Sequence, residues 1–189
     1  MTLSIHRHEV LPPHLVDKVY DMYAEVFEEV DALAAQRHLV TRAEFGVIAA
    51  DPRVAKYLAY EGDGSLVGIS TITNDLQAWP LASPAYYARH FFDHYDRSAI
   101  WYIGFVGARP GNPHVFSALV GHMYPQVVDS DGLAVMDFCT FNVERKLPER
   151  TYVMLLRMNP ATQVSRLDEQ VTYVYRFDGK GQPVSAVVS

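Results

Sequence analysis

The chain has 189 residues, 49% of them hydrophobic and 20% charged, the make-up of one ordinary globular domain with a real core. Its net charge is −6 and no lysine- or arginine-rich block occurs, which excludes a nucleic-acid surface as the main function, because phosphate neutralisation needs a basic patch. The single cysteine, Cys139, excludes an internal disulfide, and no apolar run approaches the roughly 18 residues of a membrane span.

Leu3 and Ile5 alternate with polar neighbours, so residues 2–9 are predicted as a first strand, stopped by Pro12 and Pro13. That opening lacks the apolar centre of a signal peptide, and with the lone cysteine it makes the cytoplasm the expected location. From His14 to about Arg37, Leu15, Val19, Met22, Tyr23, Val26, Phe27, Val30 and Leu33 define one apolar stripe of a long helix. Thr41 and Glu44 have the spacing of a capping box, so a short helix is predicted there, stopping before Asp51 and Pro52. Strands at 56–61 and 66–74 flank Gly62-Asp63-Gly64-Ser65, a hairpin signal.

Residues 76–97 interrupt the strands. Trp79-Pro80-Leu81 reads as loop, and Ser83-Pro84 can cap and begin a helix through Tyr95. The aromatics Tyr86, Tyr87, Phe91, Phe92 and Tyr95 either roof the core or line a lid over a ligand. Residues 100–106 form a buried strand, 107–112 a loop of glycine and proline, and Pro113 opens a helix to about Val128, interrupted or bent at Pro125. A strand–loop–helix of this kind points unpaired amides and the positive helix end at one spot, which suits an anion. The alternative is a plain strand-to-helix connection whose glycines only permit the turn, and on this stretch alone that reading is favoured.

Leu133 to Phe141 is predicted as a nearly apolar strand covered on both faces. A helix beginning near Pro148 ends before Asn159-Pro160. Val171, Tyr173, Tyr175 and Phe177 alternate as a last strand, and the tail 179–189 is expected to fray or to join a sheet edge. There is no repeat or linker, so residues 1–178 read as a single domain. The expected class is α/β (α+β mixed): a three-layer sandwich whose mixed, largely antiparallel sheet is flanked by helices.

This order, centred on Tyr102 to Leu119, resembles the GNAT superfamily of acyl-coenzyme A-dependent N-acyltransferases. The resemblance implies a central strand that bulges and splays from its neighbour, with backbone pairing to pantetheine and a loop after it that holds pyrophosphate. Carried over by position, Phe105 and Val106 would meet pantetheine, and Arg109, Gly111, Asn112 and His114 would surround the pyrophosphate. Strand 133–141 would form the other side of the splay, with Asn142 at its end. Departures stand beside the likeness. Pro110 and Pro113 remove amide donors from the loop, Tyr102 replaces the frequent glutamate, and Asn159-Pro160 replaces a terminal Gly-Phe. The long segment before the central strand is more like the acyl-homoserine-lactone and N-acyl-amino-acid synthase branch, and its aromatics would suit a tunnel for a long acyl chain.

Attack of an amine on a thioester needs alignment, a base and donors for the oxyanion. Asp137 and Tyr102, from adjacent strands, are the candidates for the base. Asp137 stands among apolar neighbours, where burial would raise its pKa, or where it pairs with a core donor. Tyr152 could protonate the departing thiolate or simply belong to the core. Cys139 reads as a small core residue. His6/His8 and His90/His94 share faces but lack companion ligands, so no metal is expected. The implied activity is transfer of an acyl group from acetyl-CoA, a longer acyl-CoA or a carrier-protein thioester to a small-molecule amine. The alternative is a GNAT-fold acyl-CoA-binding or regulatory protein without turnover. A homodimer is compatible with either, and neither a nucleic acid nor a membrane is an expected partner.

Overall fold

The computed structural model describes residues 2–35 and 39–175. Strand β1 (Leu3–His8) leads into helix α1 (Pro13–Leu33) and the short α2 (Arg42–Ala50). The capping box at the start of α2 is complete. The Glu44 amide donates to Thr41 Oγ1 and the Thr41 amide donates to the Glu44 carboxylate, so two orphan donors are satisfied reciprocally. β2 (Ala55–Glu61) and β3 (Leu66–Thr73) form the expected hairpin, with Gly64 at φ +83° where a side chain would be strained.

The insert after β3 holds a 3-10 turn (Leu76–Ala78) and two helices, α3 (Pro84–His90) and α4 (Phe92–Asp96). One continuous helix was expected here. It breaks at Phe91, whose backbone leaves the helical region so that its ring packs on the core while Phe92 faces solvent. β4 (Ile100–Ala108) is followed by α5 (Pro113–Asp129), which runs through Pro125 without stopping, then β5 (Leu133–Val135), α6 (Thr140–Glu144) and α7 (Leu147–Met158).

The strands form one sheet in the order β1-β2-β3-β4-β5, antiparallel throughout except for the parallel β4–β5 pair across α5. The sheet is open and covered on both faces. On one side α1, α2 and the insert bury Tyr23, Phe45, Leu58, Ile69, Trp79, Tyr102 and Phe105. On the other, α5 and α7 cover Tyr57, Val67, Ile72 and Ile103 with Val115, Leu119, Met123, Met154 and Leu155. The close approach of α5 depends on Gly68, where a Cβ would lie 2.5 Å from Val115 Cγ1.

Two expectations for the C-terminal third fail. The strand predicted over 133–141 is only three residues long and lies at the sheet edge with Ala134 exposed, not covered on both faces. Beyond Val135 the backbone turns away, and the amides of Asn142 and Val143 bond the Cys139 carbonyl to start α6. Cys139 is accordingly half-buried at a helix start, not sealed in a strand. The last strand is absent over residues 171–175, where Val171, Tyr173 and Tyr175 are exposed, because an alternating pattern needs a partner edge. Phe177 and the tail 179–189 lie outside the described residues. Among the described residues no helix is long and apolar enough to cross a membrane.

Candidate active site

The sheet parts in the middle of β4. Along β3 the pairing of β4 continues from Tyr102 to Ala108. Along β5 it covers only Ile100, Trp101 and Tyr102, opposite Leu133, Ala134 and Val135. The β3–β4 register shifts between Thr71, opposite Phe105, and Ile72, opposite Ile103, so Gly104 is an extra residue: a bulge. A bulge increases local twist and bends its strand, which carries the second half of β4 away from the course of β5. The outcome is an opening with its apex at Tyr102, running toward Ala108 along a β4 edge that has no strand partner among the described residues.

Tyr102 and Asp137, 35 positions apart, meet at the apex. The Tyr102 hydroxyl donates to Asp137 Oδ1 at 3.0 Å. Tyr102 is 4% exposed, and burial first, then the neighbouring carboxylate, pushes its phenol well above the ordinary range. The shift keeps the Tyr102 phenol protonated, so it stands as a hydrogen-bond donor to Asp137. Tyr87 of α3 stands on the same side, its phenol also raised, by burial and by Tyr86 and Asp137. The carboxylate itself is exposed, so the burial expected around Asp137 is absent.

At the far end of β4, Ala108–Asn112, Phe116, Leu147, Arg150, Thr151 and Met154 line a groove of about 410 Å³. Gly111 takes φ +88° to turn the loop into α5. The amides of Arg109, Asn112 and Val115 are already bonded, to Val67, Arg109 and Asn112 carbonyls, and Pro110 and Pro113 carry none. That leaves Gly111 and His114 as free loop amides among the described residues. The Arg109 guanidinium is held by Glu25 of α1 at 2.8 Å, with its Nε buried and unpartnered. Arg150 is exposed on α7 at the rim of the same groove. Its position was not legible, because only the packing of α7 beside the loop brings residue 150 to residue 109.

The remaining sequence-derived candidates fall apart by location. The Phe105 ring is 8% exposed and packs on Tyr23, 4.7 Å between centroids, so only its backbone faces the slot's edge. Val106 packs with the opposite core face. His114 is exposed in the first turn of α5. Asn142 lies inside α6 and not at a strand end. Tyr152 donates to the Thr162 carbonyl at 3.4 Å and is not among the residues lining the groove. The aromatics expected to line a tunnel are packed on one another: Trp79 on Tyr102 and Phe105, Tyr87 on Tyr86 and Phe91. Among the described residues no group of three or more His, Cys, Asp or Glu is placed to hold a metal ion.

No protein-family model matches the chain, and no curated protein matches it either. Solved structures do. An aminoglycoside acetyltransferase from an uncultured soil metagenomic sample, in complex with trehalose, aligns over 91% of this chain and 97% of its own, with 10% identity and a TM-score of 0.53. The same enzyme in complex with sisomicin aligns over the same shares with 11% identity and a TM-score of 0.52. The chain therefore has the mixed α/β GNAT-type fold of these acetyltransferases, at a sequence distance where the likeness speaks for the fold alone.

Proposed function

We propose that the protein is an N-acyltransferase that moves an acetyl group from acetyl-coenzyme A to a small-molecule amine. One observation carries this reading: β4 leaves β5 after Tyr102, with a carboxylate–phenol pair where the pairing ends and a helix N-terminus beyond the far end of β4. From Ala108 back to Tyr102 the strand rises about 20 Å, the reach of an extended pantetheine arm. The groove at the far end of β4 fits a pyrophosphate through the Arg150 guanidinium, the amides of Gly111 and His114 and the positive end of α5. The bound thioester supplies an activated acyl carbonyl.

Asp137 is the group that draws in the acceptor's ammonium and takes its proton, freeing the lone pair that forms the new C–N bond. Tyr102, kept neutral by its surroundings, holds that carboxylate in one orientation. The unpaired amides on the β5 side of β4 face the carbonyl oxygen as negative charge builds there. When the C–S bond breaks, the thiolate takes its proton from the solvent-exposed end of the slot, because Tyr152 is engaged with Thr162.

A second reading has its own observation. The phosphate cradle is reduced to two loop amides and Arg109 is tied to Glu25, as suits a protein that binds an acyl-CoA or carrier thioester without turning it over. The deciding experiment measures free thiol released from acetyl-CoA in the presence of an amine panel that includes an aminoglycoside and a polyamine, alongside calorimetric titration with acetyl-CoA. Thiol release supports the enzyme, binding without release supports the second reading, and no binding of acetyl-CoA defeats the enzyme and the acyl-CoA form of the second reading.

A further inference from the structure

The insert between β3 and β4 puts one side chain beside the reacting end of the slot. Trp79 comes directly after the 3-10 turn, and the Ala82 amide bonds back to the Trp79 carbonyl, so a tight turn carries the indole over the sheet. Its ring stacks on Tyr102 with centroids 6.1 Å apart and meets Phe105 at 5.9 Å. The outer end of the ring also abuts Gly104, the bulge residue, where a Cβ would come within 2.2 Å of it. Behind it Phe105 touches Tyr23 and Phe45, at 4.7 and 6.5 Å between centroids. Rings in contact at these spacings leave no channel past Gly104 into the core.

A second observation sets Trp79 apart from ordinary packing. The residue is 4% exposed and its Nε1 is buried with no partner. Phenylalanine would fill much of that floor without stranding an N–H, so packing alone does not call for tryptophan here.

Resting on the acyltransferase reading, we propose that Trp79 sets the length of the acyl group. Seated on Gly104, it closes the space beyond the apex of the slot, so the donor is a short acyl thioester and not a fatty one. Gly104 is part of the device, because any side chain there would push the indole off the strand. Such a wall discriminates by exclusion, since each methylene that cannot enter must displace packed atoms or stay in water.

The test is calorimetric titration of the full chain with free coenzyme A and with its acetyl, butyryl and octanoyl thioesters. Wild type should bind octanoyl-CoA at least about tenfold more weakly than acetyl-CoA. Trp79→Ala should erase or reverse that ratio while leaving the affinity for free coenzyme A unchanged. Trp79→Leu serves the same purpose if the alanine variant does not fold, and Trp79→Phe, which lacks the outer ring atoms that lie on Gly104, should lose part of the discrimination. Equal binding of acetyl- and octanoyl-CoA by wild type, or an unchanged ratio in the folded Ala or Leu variant, overturns the ruler and leaves the acyltransferase reading standing. Failure of wild type to bind free coenzyme A overturns both.

Discussion

The two edges of β4 make opposite use of the same backbone. On the β3 edge the ladder runs to Ala108 and both neighbouring faces are filled with buried side chains. On the β5 edge it ends at Tyr102, and beyond that residue the link to the chain after β5 is a side-chain hydrogen bond, Tyr102 to the exposed Asp137. One bulge residue, Gly104, separates the two regimes. A strand that stayed paired on both sides would be more stable and would have no place for a ligand. On the proposed function, stability and chemistry are divided between two edges of one strand, and substitutions on the two sides should separate into effects on unfolding and effects on turnover.

The strongest challenge to that division is Asp137→Asn. The amide keeps a carbonyl for the Tyr102 hydroxyl but cannot take a proton. The turnover number should fall about 10²- to 10⁴-fold, while calorimetric affinity for acetyl-CoA and the melting temperature stay put. Unchanged turnover would move the chemistry away from the apex.

On the paired side, Gly68→Ala should act in the opposite sense. Its methyl would lie 2.5 Å from Val115 Cγ1 and 3.1 Å from the Gly107 carbonyl, so α5 or the sheet must shift. The expected loss is about 1–3 kcal/mol, read as a lower urea midpoint, with the turnover number of the folded enzyme unaffected. Arg150→Glu returns to the open side: it reverses the charge at the groove and should raise KM for acetyl-CoA about tenfold, with a weaker dependence on salt and little change in turnover number.

The smallest expected effect is one of pH. Lys56 of β2 is 1% exposed and donates to the Glu9 and Asp51 carbonyls, tying β1 and the end of α2 to the sheet. Burial lowers its pKa to about 8 from 10.5. Between those two values the unfolded chain binds more protons than the folded one, so the contribution of this group to stability rises with pH across that window. Melting temperatures of wild type minus Lys56→Met, measured at pH 7.5 and pH 10, should shift in favour of wild type at the higher value. Thiol release should show no matching step, because Lys56 lies on the paired side.

Where neighbouring residues decide structure, the sequence was legible. The apolar stripe of α1, the Thr41/Glu44 box, the glycine turn at 62–65 and Pro113 opening α5 each depend on contacts within a few positions, and each is present. Tyr102 and Asp137 were expected to face one cleft from adjacent strands; they do meet, but through the chain that follows the short β5 and not through strand pairing. The predicted strand 133–141 and the described part, 171–175, of the predicted last strand misled for one shared reason. Apolar alternation records that a segment can join a sheet, not that an edge is free in register to receive it.

The order of residues alone was enough for most elements up to α5 and for the mixed layered class, since these depend on periodicity, caps and turns. Packing settled that Arg109 would be engaged by Glu25, that Arg150 would stand at the groove and that Trp79 would fill the space a tunnel would have needed. Those outcomes depend on side chains tens of positions apart competing for the same volume and the same charge, and no local pattern encodes which of them wins.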